Sequence, residues 1–199
     1  MEGKQLKSWI STEPKLDSDY LHLPNWYPSL NSKHQIMHNW ETPLMAIDAK
    51  QICSKGGSIL NIGYGMGIID RFIRDYNPKK HTIIEVHPLI ADNAIKEGFK
   101  NVLVGDWYDI VKGLDETFDA IYFDTFCFDN RPDWKIFAKY HVDRLLKPGG
   151  IFSYFNRGAA KKQGVEDICR KMGWNKRTIT IEFIENKETK QYESISWHK

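Results

Sequence analysis

From Ser58 onwards the chain alternates between two patterns, and that alternation restricts the folds open to it more than any other feature. Apolar runs of β character fall at Ile59–Ile62, Thr82–Val86, Val102–Val104, Ala120–Phe123 and Ile151–Phe155. Between them lie segments with apolar residues at helical spacing: Ile68–Tyr76, Ile90–Gly98, Trp107–Lys112 and Trp134–Leu146. Strand and helix in strict succession demand parallel strands joined by right-handed crossovers, so an open α/β sheet covered on both faces is expected. "KPGG" (Lys147–Gly150) is expected to stop a helix and turn the chain into the next strand. Past a helix around Val165–Met172 the pattern changes. "KRTITIEFIENKETKQYESISW" reads as two β runs about a polar turn, an antiparallel hairpin.

The segment ahead of Ser58 is less regular. Residues 1–30 are polar, proline-punctuated and aromatic-rich, which predicts an irregular arm that packs against the rest. Trp26 and Tyr27 would suit a solvated linker poorly. Near Ser32 a helix is expected to start, restarting around Glu41-Thr42-Pro43, since proline is tolerated in a first helical turn.

Composition narrows the function. With 199 residues the chain suffices for one domain with a sizeable core. Its 28 basic against 26 acidic residues argue against a protein that coats nucleic acid. Cys53, Cys127 and Cys169 are odd in number and widely spaced, so neither a disulfide framework nor a cysteine-rich zinc site is expected, and a reducing, cytoplasmic setting fits. Residues 1–20 hold no apolar core of signal-peptide length, and no run reaches the roughly 20 apolar residues of a membrane helix. His34 and His38 have a spacing that metal ligands use on a helix, but no third ligand accompanies them, and no metal is expected.

The stretch "ILNIGYGMGIID" (Ile59–Asp70) is where chemistry is expected. Gly63, Gly65 and Gly67 sit where a strand meets a helix, at the edge where open α/β sheets take ligands. Glycine permits positive φ and lets backbone approach a ligand without a Cβ, although a tight turn with no ligand has the same composition. Glu85 follows Gly63 by 22 residues and ends the second run, the spacing at which a carboxylate reaches ribose hydroxyls. The third run ends in Gly105-Asp106-Trp107, an acceptor and a ring suited to adenine, with ordinary core packing an equal account of the tryptophan. Dinucleotide sites use G-x-G-x-x-G to seat a pyrophosphate. Here the order is G-x-G-x-G with Met66 and Ile68 interposed, and an apolar surround favours a sulfonium with its methionine chain.

Two carboxylates complete the picture. Asp124 ends the fourth run in "IYFDTF", and Glu41 stands in "MHNWETPLM"; on its own Glu41 reads as an acid in a first helical turn. The latter segment resembles the W-E-T-P segment of guanidinoacetate N-methyltransferases. "LNIGYGMGIID" is closer still to the loop of the fungal arginine δ-N-methyltransferases. "SKGGSILNIG", "FDAIYFDTF" and "RLLKPGGIFSYFN" resemble both families in order and spacing, so the likeness covers about 33–156 and, more weakly, the hairpin. It implies a Rossmann-like class I methyltransferase fold: a mostly parallel seven-stranded sheet, a C-terminal antiparallel hairpin and helices on both faces. It further implies one methyltransferase domain over 31–199, with residues 1–30 an arm that closes as a lid, Trp9 or Trp26 supplying its ring.

By the same resemblance S-adenosylmethionine would lie among Met37, Met45, Gly63, Tyr64, Gly65, Met66, Gly67, Ile68, Glu85, Val86, His87, Trp107, Tyr108 and Asp124. Glu41 and Asp124 would bind the substrate guanidinium. Asp124 is then the expected proton acceptor and Glu41 the orienting anion. Arg157 and Gly158 occupy the positions of the family's substrate-carboxylate clamp, in a shorter segment. The expected acceptor is a free guanidino compound, with arginine in a peptide as the alternative; neither nucleic acid nor membrane is an expected partner. A nucleic-acid amino-methyltransferase would show D/N-P-P-Y/F where this chain has Asp124-Thr125-Phe126. An inert adenosine-binding module would have no use for the paired carboxylates.

Overall fold

A computed structural model describes residues 3–24, 34–128, 131–156, 159–185 and 187–199. Trp26, Tyr27, Ser32, Arg157 and Gly158 lie outside the described residues.

The N-terminal segment is more ordered than its composition suggested. Helix α1 (Lys4–Ser11) buries Leu6 and Trp9, three residues apart and so on one face. Strands β1 (Lys15–Leu16), β2 (Tyr20–Leu23) and β3 (His34–His38) then form a separate antiparallel sheet. The helix expected from Ser32 is therefore a strand where it is described. "HQIMH" pairs backbone to backbone with β2, placing Met37 opposite Leu21, and that pairing decides an ambiguous pattern. His34 and His38 thus lie on a strand, where the helical spacing that metal ligands use does not apply. Among the described residues no group of three metal-ligating side chains occurs. The restart is as expected: after a short 3-10 turn at Asn39–Glu41, helix α2 (Thr42–Ile52) begins with Pro43 in its first turn.

Beyond it the alternation becomes structure. Strand β4 (Ser58–Ile62), helix α3 (Ile68–Asp75), β5 (Lys80–Glu85), α4 (Pro88–Lys96), β6 (Asn101–Val104), α5 (Trp107–Ile110) and β7 (Phe118–Phe123) follow in order. Helices α6 (Asp133–Tyr140) and α7 (Val142–Leu145) lead to β8 (Leu146–Tyr154), and α8 (Ala159–Lys171) to the hairpin β9 (Asn175–Glu185) and β10 (Glu188–His198). The sheet runs β6-β5-β4-β7-β8-β10-β9; its first five strands are parallel, and β10 is antiparallel to both neighbours. Lys147–Gly150 lies inside β8 rather than ahead of it. The glycines accompany a register shift against β7 between Phe118 and Ala120, so the strand absorbs the irregularity instead of turning.

Successive strand residues face opposite sides, and each side has its own core. Ile59, Ala120, Tyr122 and Ile151 pack with Met45, Ala49, Ile52, Ile69 and Ile73 of α2 and α3. Leu60, Ile62, Ile121, Phe123 and Phe152 pack on the other side with Phe137, Val142, Val165 and Trp197. A sheet buried on both faces gives its strands unbroken apolar runs, the signal visible in the sequence. Among the described residues no helix is long and apolar enough to cross a membrane.

Candidate active site

Backbone hydrogen bonding continues one residue past the strand ends, and this builds the floor of a cleft. Gly63 N–H donates to Ile84 O at 2.8 Å, Asp124 N–H to Ile62 O at 2.9 Å, Gly105 N–H to Glu85 O at 2.9 Å and Phe155 N–H to Phe123 O at 3.2 Å. The residues that leave the sheet are thereby held as firmly as those within it. Phe123, immediately before Asp124, stacks on Phe137 at 4.5 Å between centroids and meets Trp134 edge-on at 4.9 Å. Aromatic pairs of this kind contribute about 0.5–1.5 kcal/mol each beyond burial. The cleft has a volume of about 220 Å³ and lies along this carboxyl edge.

Of the sequence-predicted cofactor residues, Met37, Gly63, Gly65, Glu85, Val86, Trp107 and Asp124 line it. Trp9, Phe126, Phe128 and Phe155 complete an apolar wall that sequence reasoning largely missed. The available signal was the aromatic alternation "FDTFCF", which continues past the strand end. Met45 and Tyr64 are buried behind the lining, in the α2–α3 core and against Phe99 respectively. Met66, Gly67, Ile68, Tyr108 and Glu41 are not among the lining residues either.

Glu85 is the anionic floor. Its Oε2 accepts Tyr64 N–H at 2.8 Å and Gly65 N–H at 3.4 Å, and its Oε1 accepts His87 N–H at 2.8 Å. Burial pushes its carboxyl above the usual range, while those three N–H groups work in the other direction. A carboxylate offers about four acceptor sites, so capacity remains for ribose hydroxyls. The glycines serve the fold more than any ligand. A Cβ on Gly63 (φ +97°) would sit 1.9 Å from Asp124 O; one on Gly65 (φ +56°), 3.2 Å from Met37 Sδ; one on Gly67 (φ +69°), 2.4 Å from the Tyr64 ring. The missing atoms make room for other parts of the protein, which in turn wall the cleft.

Helix α3 has its N-terminal positive end occupied already. Asp70 in its first turn is fully buried and accepts Asn61 Nδ2 at 2.8 Å. A pyrophosphate seated there would meet a like charge. A lining of Ile62, Ile84, Val86, Ile90 and aromatic rings, with Glu85, Asp106 and Asp124 as its carboxylates, fits an adenosine bearing a cationic sulfonium better than the anionic pyrophosphate of a dinucleotide.

Asp106 is committed more heavily than the sequence suggested. Its Oδ1 caps α5 by accepting Tyr108 N–H at 3.0 Å, and Arg131 grips both oxygens at 2.7 and 2.9 Å. Arg131 also donates to Asp133, which accepts Trp107 Nε1 at 3.4 Å, and lies over the Trp107 and Tyr108 rings. Burial disfavours the Arg131 cation, but the two carboxylates more than offset this and hold its pKa above the ordinary value. Trp107 is thus both core and wall: it meets Phe123 and Phe137 edge-on, and one surface reaches the cleft. Arg131 had no sequence signal, because only tertiary contact brings Arg131–Asp133 to the end of β6.

The two proposed substrate carboxylates differ in setting. Asp124 lines the cleft. Glu41 is 7% exposed, and its Oε1 accepts His38 N–H at 2.9 Å, closing the turn that precedes α2. That bond completes a capping box on the 3-10 turn Asn39–Glu41, while α2 itself receives no side-chain cap from Glu41; Met37, four residues earlier, lines the cleft.

The arm reaches this site too. Trp9 stacks on Phe126 at 5.3 Å and meets Phe128 edge-on at 5.2 Å. His87 Nε2 donates to Thr12 O at 2.8 Å, while its Nδ1 accepts Leu89 N–H at 3.2 Å and caps α4. A carbonyl can only accept, so this pair of bonds selects the Nε2–H tautomer. His87 is expected at the cofactor by resemblance; in the structure its ring is a latch for the arm.

A family model described as guanidinoacetate N-methyltransferase matches residues 25–193. The chain belongs to that family. Protein arginine N-methyltransferase 2 of Emericella nidulans is 36% identical over 146 residues, 69% of this chain and 34% of that protein. The Candida glabrata protein of the same name is 38% identical over 155 residues, 71% of this chain and 37% of its own length. The family member described here thus spans only 34–37% of those relatives. Among solved structures, a putative SAM-dependent methyltransferase from Streptococcus mutans superposes with a TM-score of 0.63 at 10% identity, covering 94% of this chain and 55% of that one. The O-methyltransferase TomG from Streptomyces achromogenes, in complex with SAM, has a TM-score of 0.54 at 18% identity, with 79% of each chain covered. At such identities the likeness is one of fold: Rossmann-like, class I.

Proposed function

We propose that this protein is an S-adenosylmethionine-dependent N-methyltransferase acting on a guanidino nitrogen of a small arginine- or guanidinoacetate-like molecule. The observation that carries the reading is the position of Asp124, projecting from the rigid end of β7 into a cleft floored by Glu85, in a chain of the guanidinoacetate N-methyltransferase family. S-adenosylmethionine supplies an electrophilic methyl on a sulfonium, with a neutral thioether as leaving group. Glu85 accepts the ribose hydroxyls, Trp107 and the aliphatic lining take the adenine, and Met37 lies along the remaining wall.

A guanidinium is planar, delocalised and protonated at neutral pH, so its nitrogens are weak nucleophiles. Two carboxylates hold it by paired charge-assisted bonds and turn one nitrogen towards the methyl. As the N–C bond forms and the S–C bond breaks, the nitrogen sheds a proton, and Asp124 accepts it. Glu41 is assigned the orienting role from the family resemblance; its Oε1 holds the His38 N–H, and it stands outside the residues that line the cleft. Phe126 and Phe155 exclude water from the reacting atoms. The relatives named protein arginine N-methyltransferase 2 favour a second acceptor, arginine within a peptide.

The test is incubation of the purified protein with methyl-labelled S-adenosylmethionine and arginine, guanidinoacetate, agmatine or an arginine peptide. Label in a free guanidine is the expected result. Label in the peptide alone selects the second acceptor, and cofactor binding with no transfer to any guanidine rejects the enzyme reading.

The arm is proposed to be a lid, on the strength of the Trp9 stack and the Thr12–His87 latch. Removing residues 1–14 is expected to weaken S-adenosylmethionine binding by about 10-fold or more, the equivalent of losing one well-packed aromatic wall. Titration calorimetry checks this; an unchanged affinity would show that the arm only rests on the site.

A further inference from the structure

Asp48 is fully buried, yet it is not among the residues lining the cleft. Its Oδ2 accepts the hydroxyls of Tyr122 and Tyr192, each at 2.8 Å, and its Oδ1 accepts the Ser194 hydroxyl. Gln51, one turn along α2, extends the cluster by bonding Ser194 and Ser196. A buried carboxylate is costly unless its acceptor sites are filled, and even when filled it seldom stabilises more than an apolar residue would. Packing alone therefore accounts poorly for an acid here.

The elements that Asp48 joins are those that carry the reacting groups. It stands on α2, whose first residue follows Glu41 directly. Tyr122 is two residues before Asp124 on β7. Tyr192 belongs to β10, and its hydroxyl oxygen also accepts Asn156 N–H at 3.2 Å, next to Phe155 of the cleft wall. Helix α2, β7 and β10 meet on one carboxyl group, and the backbone beyond β8 reaches it through the Tyr192 hydroxyl.

We propose that Asp48 is a positioning residue for methyl transfer, a buried tie that sets the Glu41-bearing helix, the Asp124-bearing strand and the wall at Phe155 in register around the bound cation. It rests on the guanidine reading above, because the groups it positions are those assigned to the guanidinium. Charge adds a second strand to the argument. Burial, helped by the nearby Asp124 charge and opposed by the three hydroxyls, leaves the Asp48 carboxyl raised to about 7. The titratable groups facing it are Tyr122 from β7, Tyr192 from β10 and Asp124 beyond the end of β7. Burial raises both tyrosines well above their ordinary value, so they stay neutral donors. Of this set Asp48 changes charge near neutrality, and above that point an additional anion stands behind Asp124 and favours a bound cation.

The experiment compares wild type, Asp48→Asn and Tyr192→Phe by cofactor calorimetry and by steady-state kinetics with whichever guanidine the wild type accepts, across the neutral range. Both variants are expected to bind S-adenosylmethionine as wild type does and to lose about 10- to 100-fold in kcat/KM for the guanidine, the cost of a small misplacement. In wild type kcat/KM rises through a step near pH 7; in Tyr192→Phe, which loses a hydroxyl that pulls the Asp48 carboxyl down, the step moves to higher pH, and in Asp48→Asn it is absent. Wild-type kinetics in both variants, or a uniform loss with the step retained in Asp48→Asn, overturns the proposal. Should Asp48→Asn fail to fold, Tyr192→Phe, which keeps the carboxylate, decides: an unchanged kcat/KM rejects the tie. A wild type inert towards every guanidine rejects the guanidine reading and this role with it, an outcome distinct from an active wild type with indifferent variants.

Discussion

Asp124→Asn is expected to bind S-adenosylmethionine almost as wild type does and to transfer its methyl to a guanidine about 10²- to 10⁴-fold more slowly. The substitution preserves volume and leaves the Asp124 N–H to Ile62 O bond intact, because that bond belongs to the backbone. What is lost is the charge that holds the cation and the site that takes its proton. Glu41→Gln keeps an oxygen for His38 N–H, so the turn before α2 survives and the loss is confined to the orienting charge. Each variant is compared with wild type by single-turnover kinetics and by cofactor titration. Near-normal turnover in both would defeat the guanidine assignment; a parallel loss of cofactor affinity would move Asp124 from the substrate to the donor.

Gly63→Ala is expected to cost about 2–5 kcal/mol of stability, a fall in Tm of about 5–15 °C for a chain of this size. Two effects combine. The backbone at φ +97° is strained for any residue with a Cβ, and that Cβ would stand 1.9 Å from the carbonyl oxygen of Asp124. The obstacle is backbone in the middle of the sheet's end, so no side chain can swing away to relieve it. Relief requires β4 and β7 to part, which drags Asp124 with them. The variant should therefore lose transfer activity even at temperatures where it remains folded. Thermal unfolding by circular dichroism checks the first claim, and the assay of Asp124→Asn applied below the transition checks the second. A Gly63→Ala protein as stable as wild type would show that the strand ends are not packed as described.

Much of this protein was legible in its sequence because burial on both faces of a parallel sheet leaves an unmistakable record. Five apolar runs, the helical segments between them and the closing hairpin all fall within a few residues of the observed elements. The misreadings share a cause. "HQIMH" is short and fits either period, and only its pairing with β2 makes it a strand. "KPGG" resembles a turn, yet a register shift against β7 absorbs it within β8. Residues 4–23 look loop-like by composition, but Trp9 finds Phe126 and Phe128 after β7, far along the chain, and that contact organises a helix.

The site divides in the same way. The glycine turn, Glu85 and Asp124 were visible because a strand's end has a fixed place in an α/β sheet, so order along the chain alone puts them on one edge. That much the amino-acid sequence determined unaided. Tertiary structure alone decided that the glycines make room for Asp124, Met37 and Tyr64, that Arg131 claims Asp106, and that His87 latches the arm. It also gathered Asp48, Tyr122, Tyr192 and Ser194 into one buried cluster from three separate elements. Local pattern reports only whether a residue faces the core; which distant partner waits there depends on how strands and helices close over one another, and no neighbouring residue encodes that.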